Sequence, residues 1–167
     1  MMSENVTIRP ATIADEPVLW AMLYQAIYIP PGATAPPRDI LRRPELSRYV
    51  EGWSAPDDIG FVAEAGGQPV GAAWLRLLTA DRSGYGYVDD ETPELSIAVA
   101  PGYRGQGIGT RLLARLIEEA AGRYPAVSLS VAADNPAVRL YERFGFMELD
   151  NDGGSLTMIR HFVEPSV

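Results

Sequence analysis

Residues 95–110 read Leu-Ser-Ile-Ala-Val-Ala-Pro-Gly-Tyr-Arg-Gly-Gln-Gly-Ile-Gly-Thr, and their character changes twice. Apolar residues first alternate with small or polar ones, which is the period-two pattern of a half-buried strand. Glycines then stand at positions 105, 107 and 109. From Ile108 the apolar residues recur at helical spacing until Gly122, a typical helix stop. The stretch therefore predicts a strand, a glycine-rich turn and a helix in direct succession.

The turn between this strand and this helix has the features of an anion site. Glycine permits positive φ and lets the backbone approach a ligand closely. Unpaired N–H groups and the positive end of the dipole at a helix start attract phosphate. Arg104 adds a planar, permanently charged group, and Thr110 adds a hydroxyl donor. We predict that residues 104–110 bind a phosphate-bearing ligand; a tight turn without a ligand is the alternative.

Two common phosphate-binding motifs fit this turn poorly. A nucleoside-triphosphate loop starting at Gly102 would need Lys and then Ser or Thr after Gly107, where Ile108 and Gly109 stand. A dinucleotide fingerprint would need glycine or alanine in place of Thr110. It would also normally follow the first strand of its fold, whereas this turn lies past the midpoint of the chain. The sequence disfavours both motifs.

The rest of the chain alternates between strand and helix patterns. Strands are predicted over 5–9, 59–65, 69–78, 94–100, 127–131, 146–149 and 155–162, and helices from 12 or 15 to 27, over 39–51, over 108–120 and over 135–144. Gly66-Gly67 and Asp152-Gly153 mark hairpin turns. This order predicts an α/β fold of the α+β type, a mixed sheet with helices on its faces.

Composition excludes several kinds of chemistry. The chain has no cysteine, so disulfides, thiolate nucleophiles and thiolate-held metals are excluded. All fourteen basic residues are arginine, which excludes Schiff-base chemistry on lysine. His161 is the one histidine, so a multi-histidine site is excluded and no metal is expected. The net charge of -8 disfavours binding to nucleic acid and favours cationic substrates.

Length and hydropathy give the domain organisation and the expected location. A chain of 167 residues favours one domain over 1–167 with a real hydrophobic core. No apolar run approaches the roughly 18 residues of a membrane span, and the first residues lack a basic and then apolar signal. We therefore expect a cytoplasmic protein with no membrane partner.

Two motifs together resemble the GCN5-related N-acetyltransferase family. Arg104, Gly107 and Gly109 satisfy the defined positions of the family's acetyl-CoA motif, Arg/Gln-x-x-Gly-x-Gly/Ala. Residues 135–146, Asn-Pro-Ala-Val-Arg-Leu-Tyr-Glu-Arg-Phe-Gly-Phe, look like its second motif at the expected distance. The resemblance covers about residues 94–146. It implies a single-domain acyl-CoA N-acyltransferase fold with a splayed mixed sheet.

The resemblance also implies which residues bind acetyl-CoA. The turn would hold the pyrophosphate through its backbone, and the preceding strand would bond the pantetheine arm. Asn135 would lie near that arm, with a plain helix cap as its alternative role. The implied contacts are Ile97, Ala98, Val99, Arg104, Gly105, Gln106, Gly107, Ile108, Gly109, Thr110 and Asn135.

Candidate catalytic residues follow from the same resemblance. Tyr141 matches a tyrosine that lies close to the thioester sulfur and protonates the departing thiolate; a buried aromatic is its alternative. Glu94 is the candidate base for the amine, because some family members use an acid there. A solvated strand-end carboxylate is its alternative, and the acidic run 89–91 offers further candidates. Six aromatic residues form either an acceptor pocket or core: Trp20, Tyr24, Tyr28, Trp74, Tyr85 and Tyr87.

The expected activity is transfer of acetyl from acetyl-CoA to a primary amine, preferably of a small molecule, by direct attack in a ternary complex. The chain has no cysteine for a covalent intermediate, and the lone histidine supports a serine intermediate poorly. Acetyl-CoA and the amine are the expected partners, with a homodimer as one option. The alternatives are a non-catalytic acyl-CoA-binding or sensing module, a protein N-acetyltransferase, and an unrelated nucleotide-binding domain.

Overall fold

The computed structural model describes residues 5–163. The strands are β1 (Val6–Pro10), β2 (Ile59–Ala65), β3 (Gln68–Arg76), β4 (Glu94–Val99), β5 (Ala126–Ala132), β6 (Met147–Asp152) and β7 (Ser155–His161). The α-helices are α1 (Glu16–Ala26), α2 (Pro44–Ser47), α3 (Ile108–Ala121) and α4 (Ala137–Arg143). Short 3₁₀ turns lie at Ile13–Asp15, Arg38–Arg42, Ala80–Arg82 and Pro101–Tyr103.

The seven strands form one mixed sheet in the order β1-β2-β3-β4-β5-β7-β6. Neighbours are antiparallel except β4 and β5, which run parallel with α3 as the crossover between them. Gly66 and Gly67, with φ of 57° and 80°, make the tight turn that pairs β2 with β3. The predicted fold class is confirmed.

Alternating residues of the central strands supply two hydrophobic cores on opposite sheet faces. Leu75 and Leu95 point to the face that α3 and α4 cover, where Leu112 and Leu116 are fully buried. The other face packs against α1 and the segment after α2, in a core that includes Leu19, Met22, Leu23, Tyr49, Val50, Trp53, Ala72, Trp74 and Ala98. The functional cleft opens between these two layers.

The parallel strands β4 and β5 separate almost as soon as they meet. Within residues 5–163, their ladder has one register pair, Glu94 opposite Ser128, next to a hydrogen bond from Ser128 N–H to Pro93 O (3.0 Å). β4 pairs with β3 along its whole length on its other edge. The β4 edge from Leu95 onward therefore faces a gap, and the expected splay of the sheet is confirmed.

Two local predictions differ from the structure. The helix predicted over 39–51 is wrong: a 3₁₀ turn, an extended Arg43 and the single helical turn of α2 occupy that segment. Pro44 explains the break, because proline disfavours helical geometry in the preceding residue and lacks an N–H. The last hairpin turns at Gly153-Gly154, both at positive φ, rather than at Asp152-Gly153.

Residues 5–163 lack both a membrane-spanning helix and a cluster of metal ligands. No helix there is long and apolar enough to cross a membrane. In the same range, no three His, Cys, Asp or Glu side chains are grouped so that they could hold a metal ion.

Candidate active site

A cleft of about 260 Å³ occupies the gap between β4 and β5. Its walls come from the two separating strands, the end of α1, the α2 region and α4. The lining residues are Leu23, Ala26, Ile27, Tyr28, Leu46, Tyr49, Tyr85, Leu95, Ser96, Ile97, Leu129, Ser130, Val131, Ala132, Asn135 and Tyr141. No charged side chain of the described residues lines it, so aromatic rings, aliphatic groups and unpaired strand edges determine what it binds.

The glycine turn lies at the end of β4 and starts α3. Gly105 and Gly107 have φ of 77° and 81°, which L-residues rarely adopt, and a Cβ on either would meet nothing within 4 Å. The first helical hydrogen bond runs from Arg111 N–H to Gly107 O (3.1 Å), so the N–H groups of residues 108–110 have no intrahelical acceptor. The turn thus presents an open row of donors at a positive dipole end.

Arg104 and Asn135 flank this turn and the cleft. Arg104 donates from Nε to Val99 O (2.9 Å), and its Nη2 lies 3.4 Å from the backbone and side-chain oxygens of Gln25. The guanidinium therefore ties the end of β4 to the end of α1. Asn135 Oδ1 accepts from the N–H of Ala137 (2.9 Å), the first residue of α4, and Asn135 also lines the cleft.

Tyr141 projects from α4 with its ring in the core and its hydroxyl at the cleft. The ring packs edge-on against Phe146, with centroids 6.0 Å apart, and the residue is 8% exposed. Burial raises the pKa of Tyr141 to about 12. Its hydroxyl bonds to no group of residues 5–163, yet it is not sealed from the cleft. It is therefore a protonated donor without a protein acceptor.

Glu94 is buried at the first residue of β4, with 2% exposure, so the alternative of a solvated carboxylate is wrong. Its Oε1 accepts from Tyr49 Oη (2.9 Å) and Gly86 N–H (2.8 Å), and its Oε2 accepts from Gly84 N–H (2.9 Å). Burial raises the pKa of the Glu94 carboxyl above its ordinary value, against the opposing effect of these hydrogen bonds. Glu94 does not line the cleft itself.

Sequence reasoning missed the partners of Glu94. Tyr49 lies in the segment 39–51 that was predicted to be a helix, and Gly84 and Gly86 lie between the strands predicted over 69–78 and 94–100. A Cβ on Gly86 would lie 2.7 Å from the backbone carbon of Leu129, so only glycine fits there. The two glycines on either side of Tyr85 were the sequence signal that could have predicted close backbone packing in this loop.

The six aromatic candidates divide between cleft and core. Tyr28 and Tyr85 line the cleft, and Tyr28 Oη donates to Asp134 O (3.4 Å) across its mouth. Trp74 is fully buried in the second core. The remaining three contact other groups: Trp20 Nε1 lies 3.4 Å from Glu16, Tyr24 Oη donates to Pro36 O and Tyr87 Oη donates to Asp90.

A family model described as the acetyltransferase (GNAT) family matches residues 20–146. The chain belongs to the GNAT acetyltransferase family. Among curated relatives, a mycothiol acetyltransferase of Streptomyces bingchenggensis is 32% identical over 155 residues, covering 91% of this chain and 46% of the relative. An uncharacterised N-acetyltransferase of Methanocaldococcus jannaschii is 35% identical over 125 residues, 71% of this chain and 53% of that one. This GNAT chain thus spans about half the length of the curated relatives it matches.

Solved GNAT structures share the whole fold. The ribosomal-protein-alanine N-acetyltransferase of Brucella melitensis is 31% identical with a TM-score of 0.61, covering 93% of this chain and 99% of that one. A putative acetyltransferase of Salmonella typhimurium, solved with its cofactor acetyl-CoA, is 24% identical with a TM-score of 0.64 over 97% and 96% of the two chains. The fold of this chain is therefore shared over nearly its whole length with solved acetyltransferases, one of which contains acetyl-CoA.

Proposed function

We propose that this protein is a cytoplasmic acetyl-CoA-dependent N-acetyltransferase that acts on the primary amine of a small molecule by direct attack in a ternary complex. The observation that carries the proposal is the cleft between β4 and β5, which Tyr141 lines and whose β4 wall leads along the chain into the glycine turn. Membership of the GNAT family supports the same activity.

The residues present fit acetyl-CoA. The N–H groups at the start of α3, with Arg104, would hold the pyrophosphate, because Gly105 and Gly107 leave the backbone open above them. The free edge of β4 over Ile97, Ala98 and Val99 would bond the pantetheine arm next to Asn135. The remaining proposed contacts are Gln106, Ile108, Gly109 and Thr110, chiefly through their backbones. Bound acetyl-CoA supplies the thioester carbonyl that the amine attacks and the thiolate that leaves.

Two side chains carry the proton transfers in this proposal. Tyr141 Oη donates its proton to the leaving sulfur, since it is protonated at neutral pH and has no competing acceptor among residues 5–163. Glu94 receives the proton that the acceptor ammonium must lose before its nitrogen can attack. A backbone N–H on the free edge of β4 polarises the carbonyl as negative charge develops on its oxygen.

The lining of the cleft favours an acceptor that is small and, apart from its reacting amine, uncharged. Its lining is uncharged among residues 5–163, so a polyamine would find no carboxylate for its second cation. Tyr28 and Tyr85 offer aromatic faces, and the bond from Tyr28 to Asp134 O narrows the mouth. The similarity to mycothiol acetyltransferases supports a small-molecule acceptor as well.

Acetyl-CoA binding tests the proposal directly. Calorimetry should find micromolar binding to the wild type and none to Gly107→Glu, whose side chain blocks the phosphate donors with a like charge. Gly153→Glu is the matched control, because Gly153 also has positive φ and open space but lies in the β6–β7 turn. It should bind as the wild type does.

Free-thiol release then tests the reaction on four amines: glucosamine, phenethylamine, spermidine and a peptide with N-terminal alanine. The proposal expects turnover of one of the first two above the others. A wild type that does not bind acetyl-CoA contradicts the cofactor site. Binding without turnover of any amine favours a sensing module, and turnover of the peptide alone favours a protein acetyltransferase.

A further inference from the structure

The cleft contains two buried tyrosines whose hydroxyl groups have different surroundings. Tyr141 on α4 bonds to no protein group among the described residues, as shown above. Tyr49, which follows α2, donates to Glu94 Oε1 (2.9 Å) and accepts from Tyr85 N–H (2.7 Å). Two like groups with opposite surroundings are suited to opposite proton roles.

We infer that Tyr49 is the catalytic residue that takes the acceptor's proton and passes its own to Glu94. The inference rests on the proposed function and deepens it. Glu94 is 2% exposed and lies behind the cleft wall, whereas Tyr49 is on that wall. The only hydrogen bond that joins a cleft-lining side chain of the described residues to the Glu94 carboxylate comes from Tyr49.

In this inference the acceptor nitrogen loses two protons, one to Tyr49 and one through water. The Tyr49 hydroxyl oxygen has one acceptor position beyond the bond from Tyr85 N–H, and the ammonium N–H donates there. Tyr49 Oη takes this proton while its own passes to Glu94 Oε1. The freed nitrogen forms the C–N bond to the acetyl carbon, the C–S bond breaks, and Tyr141 protonates the sulfur. The nitrogen then loses its second proton through water to Tyr141, which restores the Tyr141 hydroxyl. Glu94 releases its proton through Tyr49 to solvent. The products are therefore the amide, the thiol and one proton.

The surroundings of Glu94 favour its role as the final proton acceptor within the protein. Burial raises the carboxyl pKa, which makes Glu94 a stronger base than an exposed carboxylate. Tyr49 and Arg48 face it from the segment after α2, and the charge of Arg48 opposes the rise. Arg76, its register partner on β3, is held by Asp58 (3.1 Å) and by the backbone carbonyls of Arg48, Glu51 and Gly52. The carboxylate therefore lacks a direct ion pair among residues 5–163 and can accept a proton.

The experiment compares the pH dependence of kcat/KM for Tyr49→Phe and the wild type, using the best amine of the four-amine panel. Tyr49→Phe should lower kcat/KM by about 10²–10³ at pH 7, within the usual contribution of a general base. The loss should shrink about tenfold per pH unit above pH 7, because solvent then deprotonates the amine. Acetyl-CoA affinity should change by less than about twofold. Tyr87→Phe is the matched control, since its hydroxyl donates to Asp90 (2.7 Å) outside the cleft.

The outcomes are distinct. A loss that is equal at every pH, or no loss, overturns the role of Tyr49 as proton carrier. If Tyr49→Phe does not fold, Glu94→Gln replaces it and should show the same pH-dependent loss; a flat profile overturns the inference. A wild type that acetylates none of the panel amines contradicts the proposed function and, with it, the inference. If the wild type is active, the pH profile of Tyr49→Phe tests the role of Tyr49 alone.

Discussion

At the residue scale, the ring and the hydroxyl of Tyr141 have separate roles. Its ring belongs to the core with Phe146, and its hydroxyl contributes no bond to the described fold. Removing only the hydroxyl should therefore leave the packing intact. This makes Tyr141→Phe a clean test of its proposed role as general acid.

Tyr141→Phe should lower kcat by about 10²–10³ without changing acetyl-CoA affinity or the thermal midpoint, because a proton donor is lost and no core atom is. Steady-state kinetics and calorimetry measure this. Tyr124→Phe serves as the control, since its hydroxyl bonds to Asp57 O (2.6 Å) away from the cleft. An unchanged kcat in Tyr141→Phe would contradict the role and favour solvent as the donor.

At the element scale, the 3₁₀ turn Ile13–Asp15, which leads into α1, ends at a buried carboxylate. Asp15 is 5% exposed, accepts two hydrogen bonds of 2.8 Å from Arg9 on β1, and forms a capping box with Thr12. The bonds from Arg9 lower the pKa of Asp15 despite its burial. A carboxyl with a lowered folded pKa stabilises the protein above its unfolded pKa of about 4 and loses that effect as pH falls below it.

Asp15→Asn should therefore lower the free energy of unfolding by about 1–3 kcal/mol at pH 7. The difference from the wild type should shrink as pH falls from about 4 to 2, because the wild-type carboxyl becomes protonated. Urea unfolding at several pH values measures both effects. Asp150→Asn, on the exposed strand β6, is the control and should change little. A difference independent of pH would mean that shape, not charge, stabilises this site.

At the scale of the whole molecule, one sheet separates two hydrophobic cores. Val127 is fully buried in the core under α3 and α4, and Val50 is fully buried in the core under α1. The two side chains belong to different clusters. Truncating them should therefore have independent effects within a single cooperative unfolding transition.

Val50→Ala and Val127→Ala should each lower the free energy of unfolding by about 1–3 kcal/mol through lost burial and a new cavity. The double variant should equal the sum within about 0.5 kcal/mol. Denaturant unfolding followed by fluorescence and circular dichroism measures all three. A larger interaction energy would show that the two cores are coupled. Two separate unfolding transitions would show that the cores fold independently.

The central strand, turn and helix of residues 94–122 are predictable from the sequence alone. Local rules suffice there: period-two and helical spacing set the buried faces, and Gly105 and Gly107 permit the φ values that the turn needs. The same rules predicted the alternation of strands and helices along the chain from which the sheet and its covering helices form. They failed over residues 39–51, where proline overrides a helical pattern.

The lining of the cleft and the surroundings of Glu94 depend instead on contacts between distant parts of the chain. The bond from Tyr49 to Glu94 joins residues 45 positions apart, and the Gly84–Gly86 loop folds back onto β5. No periodicity encodes such contacts, because they depend on where separate elements meet rather than on local backbone preference. The separation of β4 from β5 brings Tyr49 and Tyr141 to one cleft, although the two residues are 92 positions apart in the sequence.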